Sequence, residues 1–278
     1  PRWTDPAFWQ TTARRGEAPP GAPSALDCYL FAWDRLRAIR KDFTLQNYRP
    51  DGERCDRVAV AVYEKMARYL LVLEHQLVGL HDAEGNESWR QNAGHGKQNA
   101  ESLSETFTAL RAFYDHGLDD DDDDDDAGAG AAAGAVTRAP LSEHEAEFTA
   151  YHIVYFLDND RGAEVTNLLG ELMKRRKALY ATPEVSRAVR VWRAQRDGDY
   201  AAFFKELKNA PYVFRCAMHK WVASMRARAL QVMNKAYREP VPLSKLVERL
   251  CFESEPDAAR VMMHYGLAVA TSDGTDAR

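Results

Sequence analysis

Apolar side chains recur at three- and four-residue steps along most of this 278-residue chain, and this spacing is what most limits its fold. The segment 55–81 shows it clearly, with Val62, Met66, Leu70, Leu73, Leu77 and Leu80 on one face. Before residue 240, no segment alternates apolar and polar residues as half-buried strands do. We therefore predict an all-α fold, an irregular α-solenoid of antiparallel helix pairs.

Interruptions of this pattern divide the chain into three parts. Residues 1–23 contain five prolines and few aliphatic side chains, so we expect an extended N-terminal arm. Residues 24–239 form the helical-repeat domain, in which 118–140 hold eight consecutive aspartates and an Ala/Gly-rich stretch that we expect to be a disordered loop. Residues 240–278 have the order helix, turn, helix, strand, which is typical of the start of a winged-helix domain that is incomplete at the C-terminus.

Capping and stop signals set the helix boundaries. Ser24 is a suitable N-cap, Thr182 followed by Pro183 is a strong helix start, and Pro240 and Pro242 end a long helix. The helices predicted in this way are 24–46, 55–81, 99–116, 142–157, 165–180, 183–196, 200–207, 211–237, 242–250 and 255–265. A single strand is expected at 266–270.

Composition excludes some classes of protein. No apolar run approaches the roughly 18–20 residues of a membrane span, and the chain begins at Pro1 with neither an initiator Met nor a signal-like stretch. We therefore expect a piece of a longer protein with no membrane contact. The four cysteines lie far apart with no CxxC spacing, so we expect reduced thiols of an intracellular protein, not disulfides or metal ligands.

The net charge of −5 hides a strong asymmetry. Residues 1–160 carry 16 Lys and Arg against 29 Asp and Glu, whereas 161–238 carry 17 against 6. The last segment, 239–278, carries 4 against 7. A stretch with a balance of +11 inside an acidic chain points to an anionic partner.

The candidate anion-binding residues are the cations of that basic stretch. Arg187, Arg190 and Arg193 are spaced three apart and face away from the apolar stripe of their predicted helix, where they could bind phosphates. The full nucleic-acid-binding set comprises Lys174, Arg175, Arg176, Lys177, Arg187, Arg190, Arg193, Lys220, Arg226, Arg228 and Lys235. The same cations could instead bind an acidic protein partner, or could simply form a solvent-exposed helix face without a ligand.

The first predicted helix places two arginines, Arg37 and Arg40, inside its apolar face. Burying an unpaired guanidinium is costly, so each should meet a carboxylate or a helix end of a neighbouring helix. Asp34 can reach Arg37 at a spacing of three residues. We treat Asp34, Arg37, Arg40 and Asp42 as a structural lock for the first turn of the solenoid.

Catalytic motifs are missing from the sequence. There is no GxSxG, P-loop, HExxH or GxGxxG pattern, and His144 and His152 lack metal-ligand motifs around them. We therefore expect no enzymatic activity, no cofactor and no metal site.

Four segments in this order resemble motifs of the GANP / SAC-three family of mRNA-export scaffolds. The first is DRLRAIRKDF at 34–43 followed by QNY at 46–48, and the second is YEKMARY at 63–69. The third is EFTAYHIVYFL at 147–157, and the fourth is LVERLCF at 246–252 with the segment from Glu255 to Leu267. Together they cover about residues 28–270.

This resemblance implies a non-catalytic, TPR/PCI-like helical-repeat and winged-helix scaffold of a TREX-2-type complex. It implies a nuclear protein on the nucleoplasmic side of the pore, in a hetero-oligomer that links transcription to mRNA export. The implied partners are a PCI-domain protein, a small acidic DSS/Sem-type protein, and RNA or DNA. The alternative is a PCI-like subunit of another assembly with protein-only contacts: a transcription- or splicing-linked paralogue complex, a centrosomal paralogue, or a proteasome-lid or signalosome type.

Overall fold

A computed structural model describes residues 25–46, 53–84, 93–115, 142–157, 162–270 and 276–277. The described chain is almost entirely helical and forms two compact units, Pro1–Glu145 and Ala146–Arg278. The helices are α1 Ala25–Leu45, α2 Glu53–Glu84, α3 Ala93–Asp115, α4 Glu145–Tyr155, α5 Gly162–Arg175, α6 Lys177–Tyr180, α7 Pro183–Asp197, α8 Tyr200–Asn209, α9 Tyr212–Ala236, α10 Leu243–Leu250 and α11 Glu255–His264. The strands are β1 Val269–Ala270 and β2 Asp276–Ala277.

Helices α2 and α3 form the core of the first unit as an antiparallel pair. Glu64 accepts a hydrogen bond from Tyr114 Oη at 2.8 Å, and Glu74 accepts one from Asn99 Nδ2 at 3.3 Å, so the two sequences run in opposite directions. Burial, reinforced by the Glu64 carboxylate, raises the pKa of Tyr114. The apolar faces bury Ala59, Val60, Met66, Ala67, Leu70, Leu71, Leu103, Phe107, Leu110 and Phe113.

Helix α1 packs on this pair through a narrow contact. Leu30 and Trp33 pack against the buried Leu73, and the rings of Phe43 and Tyr63 lie 5.5 Å apart. The outer side of α1 leaves Phe31 69% exposed. The helix is therefore amphipathic, as its spacing predicts, with a limited buried stripe.

In the second unit, α4 is the most deeply buried helix. Phe148, Ile153 and Val154 are at most 1% exposed. The indole Nε1 of Trp221 on α9 donates to the carbonyl of Val154 at 2.8 Å. This bond gives the large buried indole the polar partner that it needs.

Helices α7 and α8 form a tight pair through a two-residue turn. Gly198 ends α7 in the left-handed region at φ 73°, which glycine adopts without steric cost. Asp199 then caps α8 by accepting a hydrogen bond from the Ala202 amide at 2.9 Å. The arginine-bearing helix α7 is therefore held next to α8.

The predicted boundaries hold with local differences. The segment expected as one helix at 165–180 is interrupted at Arg176, which has φ −128° and ψ 52°. No adjacent glycine or proline predicts this break. Helix α3 begins at Ala93, six residues before its predicted start at 99, so it includes Gly94 and Gly96. The all-α class with antiparallel helix pairs is confirmed.

The chain after residue 240 has the predicted order of helix, helix and strand. Val269 and Ala270 pair antiparallel with Ala277 and Asp276, a pairing that the sequence analysis does not foresee. The winged-helix domain itself stays a prediction. The N-terminal arm and the acidic loop at 118–140 lie outside the described residues. Within the part of the chain that is described, no helix is long and apolar enough to cross a lipid bilayer.

Candidate nucleic-acid interface

Helix α7 places Arg187 and Arg190 side by side, but both face a carboxylate of the next helix. Arg190 donates to Glu206 through Nε at 2.6 Å and through Nη2 at 3.2 Å. Arg187 Nε lies 3.7 Å from Oε2 of the same carboxylate. The hydrogen bond with Glu206 raises the pKa of Arg190. The two arginines and Glu206, here called the α7–α8 charge cluster, carry one net positive charge.

The rest of α7 differs along its length. Arg193 is exposed, and no described residue pairs with it. Arg196 pairs with Asp197 at 3.1 Å and lies 4.4 Å above the ring of Trp192. Among the arginines of this helix, Arg193 is thus the one that presents an uncommitted guanidinium to solvent.

The tetrabasic run spans the break between α5 and α6. Lys174 and Lys177 are exposed, and the described residues offer them no partner. Arg175 and Arg176 each interact with another group of the protein. The run therefore supplies two open lysines and two arginines that are already engaged.

On α9, the predicted cations make intramolecular contacts of two kinds. The Lys220 ammonium lies 4.8 Å from the ring centre of Tyr155 and 5.0 Å from that of Trp221. The guanidinium of Arg228 packs against Gly198, where a Cβ atom would meet it directly. Lys235, near the end of α9, is exposed and has no partner in the described region.

Arg226 caps the end of α10. Its Nε donates to the Leu250 carbonyl at 3.1 Å, its Nη2 donates to the Cys251 carbonyl, and its guanidinium lies 4.1 Å from the ring centre of Phe252. Burial lowers the pKa of Arg226. The structure therefore places Arg226 in a helix-capping contact between α9 and α10, and its assignment to the nucleic-acid-binding set stays a prediction.

In the first unit, Arg40 lies where the helical spacing predicts. Its side chain is 19% exposed, Nη2 lies 2.6 Å from Glu105 Oε2, and Nη1 donates to the Ser102 carbonyl at 3.1 Å. Both partners lie on α3, so Arg40 links α1 to α3. Its involvement in a lock that fixes the first turn of the solenoid stays a prediction.

The other members of the predicted lock do not adopt the expected geometry. Arg37 is exposed and stacks 5.4 Å from the ring centre of Trp33. Asp34 pairs with its neighbour Arg35 at 2.6 Å instead of with Arg37. Asp42 is exposed. Arg37 escapes the expected burial because the inner stripe of α1 is narrow, which leaves its guanidinium in water above the indole.

Arg37 and Arg40 also border a cavity of about 580 Å³ between α1, α2 and α3. Lys41 contributes a third cation to its wall, and Glu101 and Glu105 contribute two carboxylates. The wall therefore carries both signs of charge and does not select one sign of ligand.

Glu206 is the residue that sequence reasoning missed. It is one of six acids in the basic stretch 161–238, and no local motif marks it. Its partners are 16 and 19 residues away along the chain. Only the packing of α8 on α7 makes it their counter-ion.

The described chain is an all-α scaffold with several uncommitted cations on its second unit and no cluster of metal-ligating side chains in its described residues. A model of the SAC3/GANP family matches residues 19–271, so the chain belongs to that family. This is a family of non-catalytic scaffold proteins, in agreement with the expectation from sequence.

Three relatives illustrate the match. The chain is 29% identical to Protein xmas of Drosophila melanogaster over 252 residues, covering 87% of the chain and 10% of that protein. It is 26% identical to SAC3 family protein B of Arabidopsis thaliana over 249 residues, covering 88% and 13%. It is 27% identical to SAC3 family protein 1 of Schizosaccharomyces pombe over 268 residues, covering 88% and 22%. The chain thus spans less than a quarter of the length of each of these relatives.

Proposed function

We propose that this chain is the helical-repeat region of a scaffold in a TREX-2-type complex, which links transcription to nuclear mRNA export. The family match over residues 19–271 is the observation that carries the proposal. A nuclear location on the nucleoplasmic side of the pore follows from the same reasoning. The scaffold would act by holding other subunits and an RNA in one assembly.

The proposed protein partners are a PCI-domain subunit and a small acidic DSS/Sem-type protein. Large apolar side chains exposed near the end of the described chain support a protein contact there, because such groups gain free energy when a partner covers them. They are Val232, Tyr237, Met263 and Tyr265, each between 44% and 51% exposed.

Co-expression tests the partner proposal. The full chain is produced with and without a PCI-domain subunit, and solubility and size-exclusion behaviour are compared. We expect the pair to co-elute and the chain alone to be poorly soluble. A stable, monodisperse monomer that ignores the PCI-domain protein would contradict the proposal.

The proposed nucleic-acid surface consists of the cations that the structure leaves open to solvent. Lys174, Lys177, Arg193 and Lys235 are exposed and have no hydrogen-bond or ion-pair partner among the described residues. Uncommitted lysines and arginines bind phosphates and release counter-ions, so the affinity should fall as salt is added. RNA or DNA is proposed as the ligand because residues 161–238 carry a net charge of +11 within a chain whose overall net charge is −5.

Charge reversal tests this surface. Combined Lys174→Glu, Lys177→Glu and Arg193→Glu should weaken RNA binding about tenfold or more at ~0.1 M salt, as measured by mobility shift or filter binding. Arg193→Glu alone is compared with Arg260→Glu, which changes the charge equally on an exposed arginine of α11. Equal losses from both single variants, or an affinity independent of salt, would rule out this surface.

A second candidate is a PCI-like subunit of another assembly, such as a paralogue complex or one of the proteasome-lid or signalosome type, with protein-only contacts. One observation favours it. Arg187, Arg190 and Arg226 are bound to protein groups within the second unit, so part of the predicted phosphate surface is already occupied. A chain that co-elutes with protein partners but shows no salt-dependent RNA binding would select this candidate.

A further inference from the structure

The carboxylate of Glu206 occupies the place where a phosphate would be expected. Its two oxygens accept both hydrogen bonds of the Arg190 fork, at 2.6 Å and 3.2 Å. This bidentate geometry is the one by which a guanidinium also binds a phosphate. The Glu206 side chain is only 16% exposed, so water screens its charge less than it would at an open surface.

Arg187 is the less satisfied member of the α7–α8 charge cluster. Its Nε is buried without a hydrogen-bond partner, and its distance of 3.7 Å from Glu206 Oε2 allows attraction of the charges but no hydrogen bond. Since Arg190 occupies both carboxylate oxygens, the surplus positive charge lies mainly on Arg187. One of two adjacent arginines is therefore neutralised within the protein.

We propose that Glu206 is an internal counter-charge that sets the affinity of helix α7 for a phosphodiester backbone. The inference rests on the proposed nucleic-acid-binding function and assigns a residue that determines its strength. Glu206 is a positioning residue that acts through Arg190 and Arg187. A phosphate that approaches α7 competes with the Glu206 carboxylate for the Arg190 fork.

A purely structural role makes a different prediction. If Glu206 only joins α8 to α7, its removal destabilises the pair and leaves affinity unchanged or lower. If it is a counter-charge, its removal frees guanidinium groups and raises affinity. The affinity and its salt dependence therefore distinguish the two roles.

The test uses the full chain, a fluorescein-labelled single-stranded RNA oligonucleotide, and fluorescence anisotropy over a series of KCl concentrations. Glu206→Gln should bind about fivefold more tightly near 0.1 M salt and steepen the slope of log K against log salt by about 0.7 for each new phosphate contact. Glu184→Gln is the matched control, since Glu184 is an exposed first-turn residue of α7 and the substitution changes the net charge equally. It should change the affinity much less.

A second pair of variants keeps the inference testable if Glu206→Gln folds poorly, which circular dichroism would show. Arg190→Gln alone should weaken binding, because Glu206 then neutralises Arg187. Adding Glu206→Gln should restore wild-type affinity, because the cluster then again carries one net positive charge, that of Arg187.

The outcomes distinguish a failure of the role of Glu206 from a failure of the proposed nucleic-acid binding. Binding of Glu206→Gln no tighter than that of Glu184→Gln overturns the role of Glu206, as does a double variant as weak as Arg190→Gln. If the wild-type chain shows no salt-dependent RNA binding, the proposed function fails, and this inference fails with it.

Discussion

Replacing Arg40 by methionine should loosen helix α1 from α3. The substitution keeps a long apolar stem and removes only the guanidinium. That group donates to the Ser102 carbonyl at 3.1 Å and pairs with Glu105 at 2.6 Å. The Ser102 carbonyl also accepts a hydrogen bond from Thr106 Oγ1 at 2.7 Å, so the variant leaves no buried acceptor without a donor.

The size of the effect follows from these contacts. A hydrogen bond from a charged donor contributes about 1.5–3 kcal/mol. The ion pair adds at most about 1 kcal/mol, because the Glu105 side chain is 60% exposed and water screens it. The apolar stem of methionine offsets part of the loss. We therefore expect a net cost of about 2 kcal/mol, which is roughly a 30-fold increase in the opening equilibrium of α1.

Amide hydrogen exchange, followed by mass spectrometry on peptides of α1, α2 and α3 within the full chain, measures this opening locally. Arg37→Met is the matched control on the same helix, because Arg37 is exposed and stacks on Trp33. An exposed stack of this kind contributes about 0.5–1 kcal/mol, so α1 should open at most about fivefold more. The reasoning is refuted if Arg37→Met opens α1 as much as Arg40→Met, or if neither changes its exchange.

Two further predictions concern the second unit. Gly198→Ala should destabilise it by about 1–2 kcal/mol, because φ is 73° and the new Cβ would collide with Arg228. Gly170 lies inside α5 with open space around it, so Gly170→Ala should instead stabilise the second unit by up to about 1 kcal/mol. Thermal unfolding should therefore show a lower midpoint for Gly198→Ala and a higher one for Gly170→Ala. Burial raises the pKa of the Cys216 thiol from 9.0 to about 11. Because the folded state favours the neutral thiol, the contribution of this group to the free energy of unfolding is fully present below pH 9 and is lost as pH rises through 11. Native alkylation of Cys216 should accordingly remain slow at pH 8 and accelerate on unfolding; fast native alkylation would contradict its burial.

Aromatic rings explain why much of the basic stretch does not form an open surface. Arg196 lies over Trp192, Lys220 over Tyr155 and Trp221, and Arg226 over Phe252. Each cation thereby covers an apolar ring and keeps part of its charge in water. A count of cations in 161–238 consequently overstates the number available to a phosphate.

Several features of the fold could be predicted from local sequence. The N-terminus of α7 is marked by Pro183 in its first turn and its C-terminus by Gly198, since both residues act on the local backbone. The interruption at Arg176 could not be predicted, because no residue there disfavours a helix. The start of α3 before Gly94 was also missed, since propensity alone places two glycines in a loop.

The candidate site was less predictable than the fold. Spacing along α7 correctly placed Arg187 and Arg190 beside each other, because a helix brings residues three apart onto one face. It could not reveal Glu206, which reaches them from α8. It also could not separate Arg193, which has no described partner, from Arg226, which caps α10.

The sequence by itself determined the helices, most of their ends and the position of Arg40 in the apolar face of α1, since periodicity and capping depend on residues one or two turns apart. Four ordered motifs also indicated the family, which the match over residues 19–271 confirms. Only the tertiary structure decided which cations bind other groups of the protein and which remain available to a ligand. Ion pairs, ring stacking and helix caps join residues that are distant along the chain, and their geometry exists only once the helices have packed.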